Sequence, residues 1–216
     1  MPLPPLPLPA FFHQFYSQYT SLTPVQKKSV EAGLLTDTSL LVCAPTASGK
    51  TLVATMAIVN HLQQGHKALY LSPLKALANE KFKEYQKLLE PTNYKAVLST
   101  GDLDSESNYL AKYNLLILTY EKLDSLLRHR VGWLSEVKLV IIDEIHLLND
   151  PNRGPTLEII LTLLKSLLQP QLIGLSATIG NPEELAAWLG AELVQDTWRP
   201  VELKQGIYLK GETEFY

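Results

Sequence analysis

The chain has 216 residues and a formal net charge of −3 at pH 7. Hydrophobic residues make up 46% and charged residues 19%, a composition typical of a globular protein that buries one large core. The single cysteine, Cys43, excludes a disulfide framework and a zinc cluster of cysteines, and the acidic balance excludes nucleic-acid binding through overall charge.

The chain begins with a proline-rich leader at residues 1–10, MPLPPLPLPA, whose prolines favour an extended conformation and forbid a helix. The leader lacks the basic segment of a secretory signal, and no stretch resembles a membrane span. We therefore expect an intracellular, cytoplasmic protein without membrane contacts, associated with the nucleoid if the source is an archaeon. The aromatic-rich residues 11–19 are predicted to form one short helix.

A second helix is predicted to begin at Thr23-Pro24, with Thr23 as the N-cap residue. Gln26 lies three residues after this cap and would complete a capping box. Its amide also offers both a donor and an acceptor to the edge of an adenine base. The two roles are compatible. The predicted phosphate loop that follows at residues 44–51 favours the adenine role.

Residues 44–51 read APTASGKT and form the stretch around which the chain is organised. An apolar strand at residues 40–43 precedes them, and apolar residues at helical spacing follow. A loop of this kind turns backbone N–H groups inward at a helix N-terminus, which suits a polyphosphate. We predict an ATP and Mg²⁺ site in which Lys50 reaches the outer phosphates and Thr51 ligates the metal. The usual first glycine is replaced by alanine; the predicted nucleotide-binding residues are Ala44, Pro45, Thr46, Ala47, Ser48, Gly49, Lys50 and Thr51, together with Gln26.

Apolar strands alternate with helices along the rest of the chain, which predicts an α/β fold with a mainly parallel central sheet covered by helices on both faces. Ligands of such sheets bind at the carboxyl ends of the strands, where the polar clusters of this sequence fall. After residues 198–200, an alternating stretch at 201–209 and a turn at 210–211 predict a strand or hairpin that leaves the main sheet. The further strands are predicted at residues 67–71, 94–98, 115–118, 137–142 and 172–175.

Residues 143–146 read DEIH and directly follow a predicted buried strand. Asp143 is expected to hold Mg²⁺, and Glu144 to orient and deprotonate the attacking water. The alternative is a pair of solvated acids that stabilise a helix N-terminus. His146 is either a hydrogen-bonded core residue or a partner of Ser176 and Thr178 on the neighbouring strand end, where it would couple nucleotide state to the rest of the protein.

These motifs together resemble the first RecA-like domain of a superfamily 2 DExH-box helicase, a three-layer P-loop NTPase fold. Further segments resemble one subgroup, the archaeal repair-associated DNA helicases, which are related to the animal helicase HELQ and more distantly to spliceosomal and exosome RNA helicases. The resemblance covers roughly residues 20–209. The segments that carry it are SPLKALANEK, STGD, TYEK, RGPTLE, SATIGNPEELAAWLGAEL and WRPVEL.

The resemblance implies an ATP-dependent 3′–5′ helicase that translocates on single-stranded or forked DNA in repair or stalled-fork processing. RNA is the alternative substrate. Strand-end hydroxyls, backbone N–H groups and lysines suit phosphate contacts that position a strand without reading its sequence. The residues that the resemblance places on this face are Pro73, Lys75, Thr100, Gly101, Thr119 and Lys122.

A helicase of this family also needs a second RecA-like domain, whose arginines complete the ATP site. The four arginines of this chain, Arg128, Arg130, Arg153 and Arg199, do not lie in such a motif. We therefore expect a RecA-like domain at residues 11–200, followed at 201–216 by a strand or hairpin that leads to a missing second motor domain. Alone, it should be nearly inactive. The competing interpretations are a small-molecule P-loop kinase and a nucleotide-binding scaffold without turnover.

Overall fold

The computed structural model describes residues 6–100, 104–201, 206–209 and 211–215. Within these residues, seven parallel strands form one sheet in the order β3-β4-β2-β5-β6-β1-β7. The predicted mainly parallel sheet is confirmed. Its strands are β1 Leu40–Cys43, β2 Lys67–Ser72, β3 Ala96–Ser99, β4 Leu115–Thr119, β5 Val137–Ile142, β6 Gln171–Ser176 and β7 Glu192–Gln195.

Helices cover both faces of this sheet, as the predicted three-layer RecA-like fold requires. Alternate residues of each strand point to opposite faces, so Leu40 and Val42 join one core cluster and Leu41 and Cys43 the other. The first cluster includes residues of α1, α3 and α4, and the second includes residues of α5, α6 and α7. The helices are α1 Ala10–Phe15, α2 Pro24–Glu31, α3 Lys50–Gln63, α4 Lys75–Leu89, α5 Tyr120–Arg128, α6 Gly154–Leu167 and α7 Pro182–Leu189, with 3₁₀ segments at Asp104–Lys112, Gly132–Glu136 and Ile145–Asn149.

Two predicted elements have different bounds in the structure. The helix α1 ends at Phe15, because Tyr16 leaves the helical conformation and the Tyr19 N–H donates to its carbonyl in a turn. Strand β3 begins at Ala96, two residues later than predicted. The N–H groups of Tyr94 and Lys95 donate instead to the side chains of Thr92 and Asn114, so they do not enter the ladder.

The chain after β6 forms α7 and β7, two elements that the sequence pattern did not predict. Gly190 ends α7 with a φ of +71°, and β7 then pairs with β1 at the edge of the sheet. Beyond it, β8 Gly206–Leu209 and β9 Glu212–Phe215 form an antiparallel pair separate from the main sheet. Residues 202–205 of the predicted 201–209 strand lie outside the described residues.

The described part of the N-terminal leader packs against the first core cluster. Leu8 is buried beside Phe12 and Tyr16, and Gln63 of α3 donates to the Pro7 carbonyl at 3.0 Å. In the described part of the chain, no helix has the length and apolarity needed to cross a membrane.

Candidate nucleotide site

The predicted phosphate loop connects β1 to α3 at the carboxyl end of the sheet. The Ala44 N–H donates to the Ser176 carbonyl at 3.2 Å, so the loop is fixed to the neighbouring strand β6 where it begins. It ends at Gly49, whose φ of +100° favours glycine. A Cβ atom there would lie 2.3 Å from Gln26 Nε2, so a larger residue would displace the end of the Gln26 side chain.

Gln26 is buried against the phosphate loop and holds it to α2. Its Oε1 accepts from the Thr23 N–H at 2.9 Å, which is half of the predicted capping box, and its Nε2 donates to the Gly49 carbonyl at 3.1 Å. The Thr23 hydroxyl donates to the Ser48 carbonyl at 2.8 Å. Since a carboxamide has two N–H groups and two oxygen lone pairs, one donor and one acceptor of Gln26 remain for a base edge.

The loop also carries polar groups that suit an anionic ligand. Lys50 Nζ donates to the carbonyls of Ala44 and Pro45 at 2.5 and 2.9 Å, and burial lowers the pKa of this ammonium. The carboxylates of Glu144 and Asp143 act against that shift, which places them in the electrostatic environment of Lys50. Ser48 Oγ is buried and has no hydrogen-bond partner in the described part of the chain, and an incoming phosphate oxygen would satisfy it.

Asp143 and Glu144 follow β5 at the same end of the sheet. Asp143 is fixed at both carboxylate oxygens, because Tyr70 Oη donates to Oδ2 at 2.6 Å and the Glu144 N–H donates to Oδ1 at 3.1 Å. Its backbone carbonyl accepts from Tyr120 Oη at 2.5 Å. Glu144 has φ +53° and ψ +44°, a left-handed conformation that costs a non-glycine residue about 1–2 kcal/mol.

The side chains predicted to hold a metal are the Asp143 carboxylate and the Thr51 hydroxyl. Mg²⁺ in nucleotide sites takes one or two protein ligands of this kind and completes its shell with phosphate oxygens and water. Among the described residues, no group of three or more His, Cys, Asp or Glu could hold a metal. Lys81 Nζ lies 3.5 Å from Thr51 Oγ1 and 3.0 Å from Glu84 Oε2, and pattern reasoning did not find this contact.

The predicted coupling residues lie next to this site. Among the described residues, the buried Ser176 Oγ has no hydrogen-bond partner, and His146 Nδ1 lies 3.3 Å from Glu144 Oε2. The partnership of His146 with Ser176 and Thr178 stays a prediction. Thr178 is exposed and lines a separate small cavity with Lys28 and Asp196, which form a 2.9 Å ion pair.

The chain matches the family model of the DEAD/DEAH box helicases over residues 23–185, which include Gln26, the phosphate loop, Asp143, Glu144 and Ser176. The chain belongs to the DEAD/DEAH box helicase family. It is also 53% identical to an ATP-dependent DNA helicase Hel308 of Methanococcus vannielii over 201 residues, which are 90% of this chain and 26% of that protein.

Two further relatives bear the same name. The identity is 53% to the Hel308 of Methanocaldococcus jannaschii, over 90% of this chain and 17% of that protein. It is 52% to that of Pyrococcus abyssi, over 88% of this chain and 26% of that protein. The chain thus spans between 17% and 26% of the length of these three relatives.

Beside the phosphate loop, this helicase domain has a cavity of about 260 Å³, which we call the loop cavity. Its wall includes the paired rings of Tyr16 and Tyr19, whose centroids are 5.9 Å apart at an interplanar angle of 29°. Tyr19 is 47% exposed, while burial raises the pKa of Tyr16 to about 12. The sequence pattern predicts only a helix for these aromatic residues and carries no signal for this cavity. The lining residues are Tyr16, Tyr19, Ser21, Thr23, Gln26, Ala47, Gly49, Thr51, Leu52 and Glu84.

A second cavity of this domain, of about 310 Å³, lies at the carboxyl ends of β2, β3 and β4, and we call it the strand-end cavity. It brings together most of the residues predicted to hold nucleic acid. Lys122 is instead buried one helical turn behind, where its N–H donates to the Thr119 hydroxyl at 3.4 Å, and Gly101 lies outside the described residues. The cavity is lined by Pro73, Leu74, Lys75, Thr100, Thr119 and Glu121.

Proposed function

We propose that this chain binds Mg²⁺-ATP and forms the first motor domain of an ATP-dependent DNA helicase. The observation that carries the proposal is that Lys50, the first residue of α3, lies within the electrostatic reach of Asp143 and Glu144, which follow β5. The loop between β1 and α3 and the end of β5 thus present a cation for phosphates beside a carboxylate for metal and a carboxylate for water. The bound metal ion would neutralise charge on the phosphates.

The protein groups have separate roles in this proposal. Lys50, the buried Ser48 hydroxyl and the backbone N–H groups that begin α3 would hold the phosphates. Asp143 would hold the metal, and Glu144 would accept the proton of the attacking water. The base would enter the loop cavity, where Gln26 offers its remaining donor and acceptor and Tyr19 offers an exposed ring face.

The nucleic-acid strand would lie in the strand-end cavity. Its Lys75 and the hydroxyls of Thr100 and Thr119 suit phosphate contacts, and the exposed Leu74 offers an apolar surface to a sugar or base. We propose DNA as the strand because the relatives at about 50% identity are named DNA helicases. Translocation in the 3′–5′ direction, with duplex unwinding in repair or at stalled forks inside the cell, completes this proposal.

We further propose that productive hydrolysis requires a second RecA-like domain in the same protein. An arginine supplied by a partner domain typically contributes about 10³–10⁵ in rate. Arg199 is the arginine of this chain that acts on the pKa of Lys50, and it is exposed in the segment that follows β7. An Arg199→Ala variant would therefore separate a contribution of this chain from one that the partner domain supplies.

The deciding experiment is phosphate release by the full-length protein without nucleic acid, with single-stranded DNA and with single-stranded RNA of the same sequence. The expected result is stimulation by DNA that Glu144→Gln abolishes. Stimulation by RNA alone would favour an RNA helicase. No hydrolysis despite ATP binding would favour a scaffold without turnover.

A further inference from the structure

The two proposed sites are joined by one side chain, that of Tyr120. It lies between Thr119 and Glu121, which both line the strand-end cavity, and its phenol turns away from that cavity. Tyr120 Oη donates to the backbone carbonyl of Asp143 at 2.5 Å. A residue whose two chain neighbours line the proposed strand site thus contacts the residue that directly precedes the proposed catalytic base.

Because of the strand order, this contact connects the ends of two strands, β4 and β5, that are not neighbours in the sheet. In the sheet, β2 lies between β4 and β5, and neighbouring strands are about 4.8 Å apart. The carboxyl ends of β4 and β5 are therefore separated by about 10 Å. The Tyr120 side chain and its hydrogen bond to the Asp143 carbonyl together cross this distance. The ring is 1% exposed and packs in the second core cluster, so it cannot move independently of its surroundings.

Tyr120 holds the peptide unit between Asp143 and Glu144, whose geometry sets the position of the proposed catalytic base. Glu144 is kept in the left-handed conformation that a non-glycine residue rarely adopts. Such strain persists only where the surroundings fix it. Asp143 is fixed at its N–H by the Leu71 carbonyl, at Oδ2 by Tyr70 and at its carbonyl by Tyr120.

The phenol is a neutral hydrogen-bond donor in this position. Burial raises the pKa of Tyr120, and the carboxylates of Asp143 and Glu144 raise it further. A buried tyrosine hydroxyl usually finds some partner, so the bond alone shows only that this need is met. The acceptor of this hydrogen bond gives it a functional meaning, because the bond joins the helix that begins at the strand-end cavity to the backbone of the proposed hydrolytic site.

We infer that Tyr120 is a positioning residue that couples strand binding in the strand-end cavity to the geometry of Asp143 and Glu144. The inference rests on the proposed function and names the contact through which its two sites communicate. A strand that displaces Thr119 or Glu121 would shift the Tyr120 hydroxyl and, with it, the Asp143–Glu144 peptide. By reciprocity, a nucleotide that fixes Asp143 would change the affinity of the strand by the same factor.

The test compares wild type with Tyr120→Phe and with Tyr85→Phe as the matched control. Tyr85 is a fully buried tyrosine whose hydroxyl lies 3.4 Å from Thr55 Oγ1, whereas the tyrosine hydroxyls that bond Asp143 are those of Tyr70 and Tyr120. For each protein, the Kd of a fluorescein-labelled single-stranded DNA oligonucleotide is measured with and without Mg²⁺ and a non-hydrolysable ATP analogue. The ratio of the two values is the coupling factor.

The wild-type coupling factor should differ from one by about fivefold or more. Tyr120→Phe should bring it closer to one by about twofold to tenfold, the range for one net hydrogen bond, and Tyr85→Phe should leave it unchanged. In an ATPase assay of the full-length protein, Tyr120→Phe should lower the strand-stimulated kcat without changing KM for ATP.

The inference would be overturned if Tyr120→Phe had the same coupling factor as the wild-type protein. It would also be overturned if the coupling factor of the wild-type protein were one. Either result would leave the proposed function standing. The failure of the proposed function has a different signature, since the wild-type chain would then bind neither the oligonucleotide nor the nucleotide. Thermal unfolding of both variants separates a loss of stability, which either buried tyrosine could cause, from a loss of coupling.

Discussion

Replacing Gly49 by alanine should weaken both the fold and the nucleotide site. The residue has a φ of +100°, and this conformation costs an alanine about 1–2 kcal/mol. The new Cβ would lie 2.3 Å from Gln26 Nε2 and 3.1 Å from Thr23 Oγ1. Gln26 would have to turn away and lose its bond to the Gly49 carbonyl, at a further cost of about 1 kcal/mol. We expect a loss of about 2–3 kcal/mol in the free energy of unfolding.

Gly65 provides the matched control for this substitution. Its φ is +81°, but an added Cβ would meet no atom within 4 Å, so Gly65→Ala isolates the backbone cost. Urea unfolding gives both losses of stability, and calorimetry with Mg²⁺-ATP gives the two affinities. Equal losses of stability in the two variants, with unchanged ATP affinity in Gly49→Ala, would refute the assigned contact between Gln26 and the loop.

Three further predictions concern the site and the core. Glu144→Gln should retain ATP affinity and lose turnover, because the carboxylate acts on water; wild-type turnover in this variant would assign the base elsewhere. Gln26→Ala should reduce the preference for ATP over GTP, and a binding assay with both nucleotides in which wild type itself shows no preference would remove the adenine role. Burial lowers the pKa of His61, so the folded state favours the neutral imidazole more than the unfolded state does. This contribution to the free energy of unfolding is complete above about pH 6.5 and is lost as the pH falls through the folded-state pKa. Urea unfolding at several pH values should show that slope, and His61→Gln should flatten it.

Local pattern was enough to predict the frame of the fold. The strands at residues 40–43 and 137–142 have the predicted bounds, and the other predicted strands of the main sheet agree within one or two residues, because continuous apolar runs between turn residues leave little choice. In β7 the pattern is weak, since only Val194 of its four residues is buried at the sheet edge. Nothing in so short a stretch distinguishes it from a loop.

The motifs predicted which residues gather at the strand ends but not how they are held. Tyr70 and Asp143 are 73 positions apart, and their hydrogen bond depends on β2 and β5 being neighbours in the sheet. The bond from Gln26 to the Gly49 carbonyl depends likewise on the packing of α2 against α3. Such tertiary contacts have no local signal, so the loop cavity and the support of Asp143 emerged only from the structure.

The most direct test of the nucleotide site is calorimetric titration of Mg²⁺-ATP into the wild-type chain, Lys50→Ala and Lys87→Ala. Lys50 is the loop lysine whose ammonium lies within hydrogen-bond distance of the Ala44 and Pro45 carbonyls, whereas Lys87 lies far along α4. The account predicts saturable binding to wild type and Lys87→Ala and no measurable binding to Lys50→Ala. Equal affinity in all three proteins would contradict the assignment of residues 44–51 as the phosphate site.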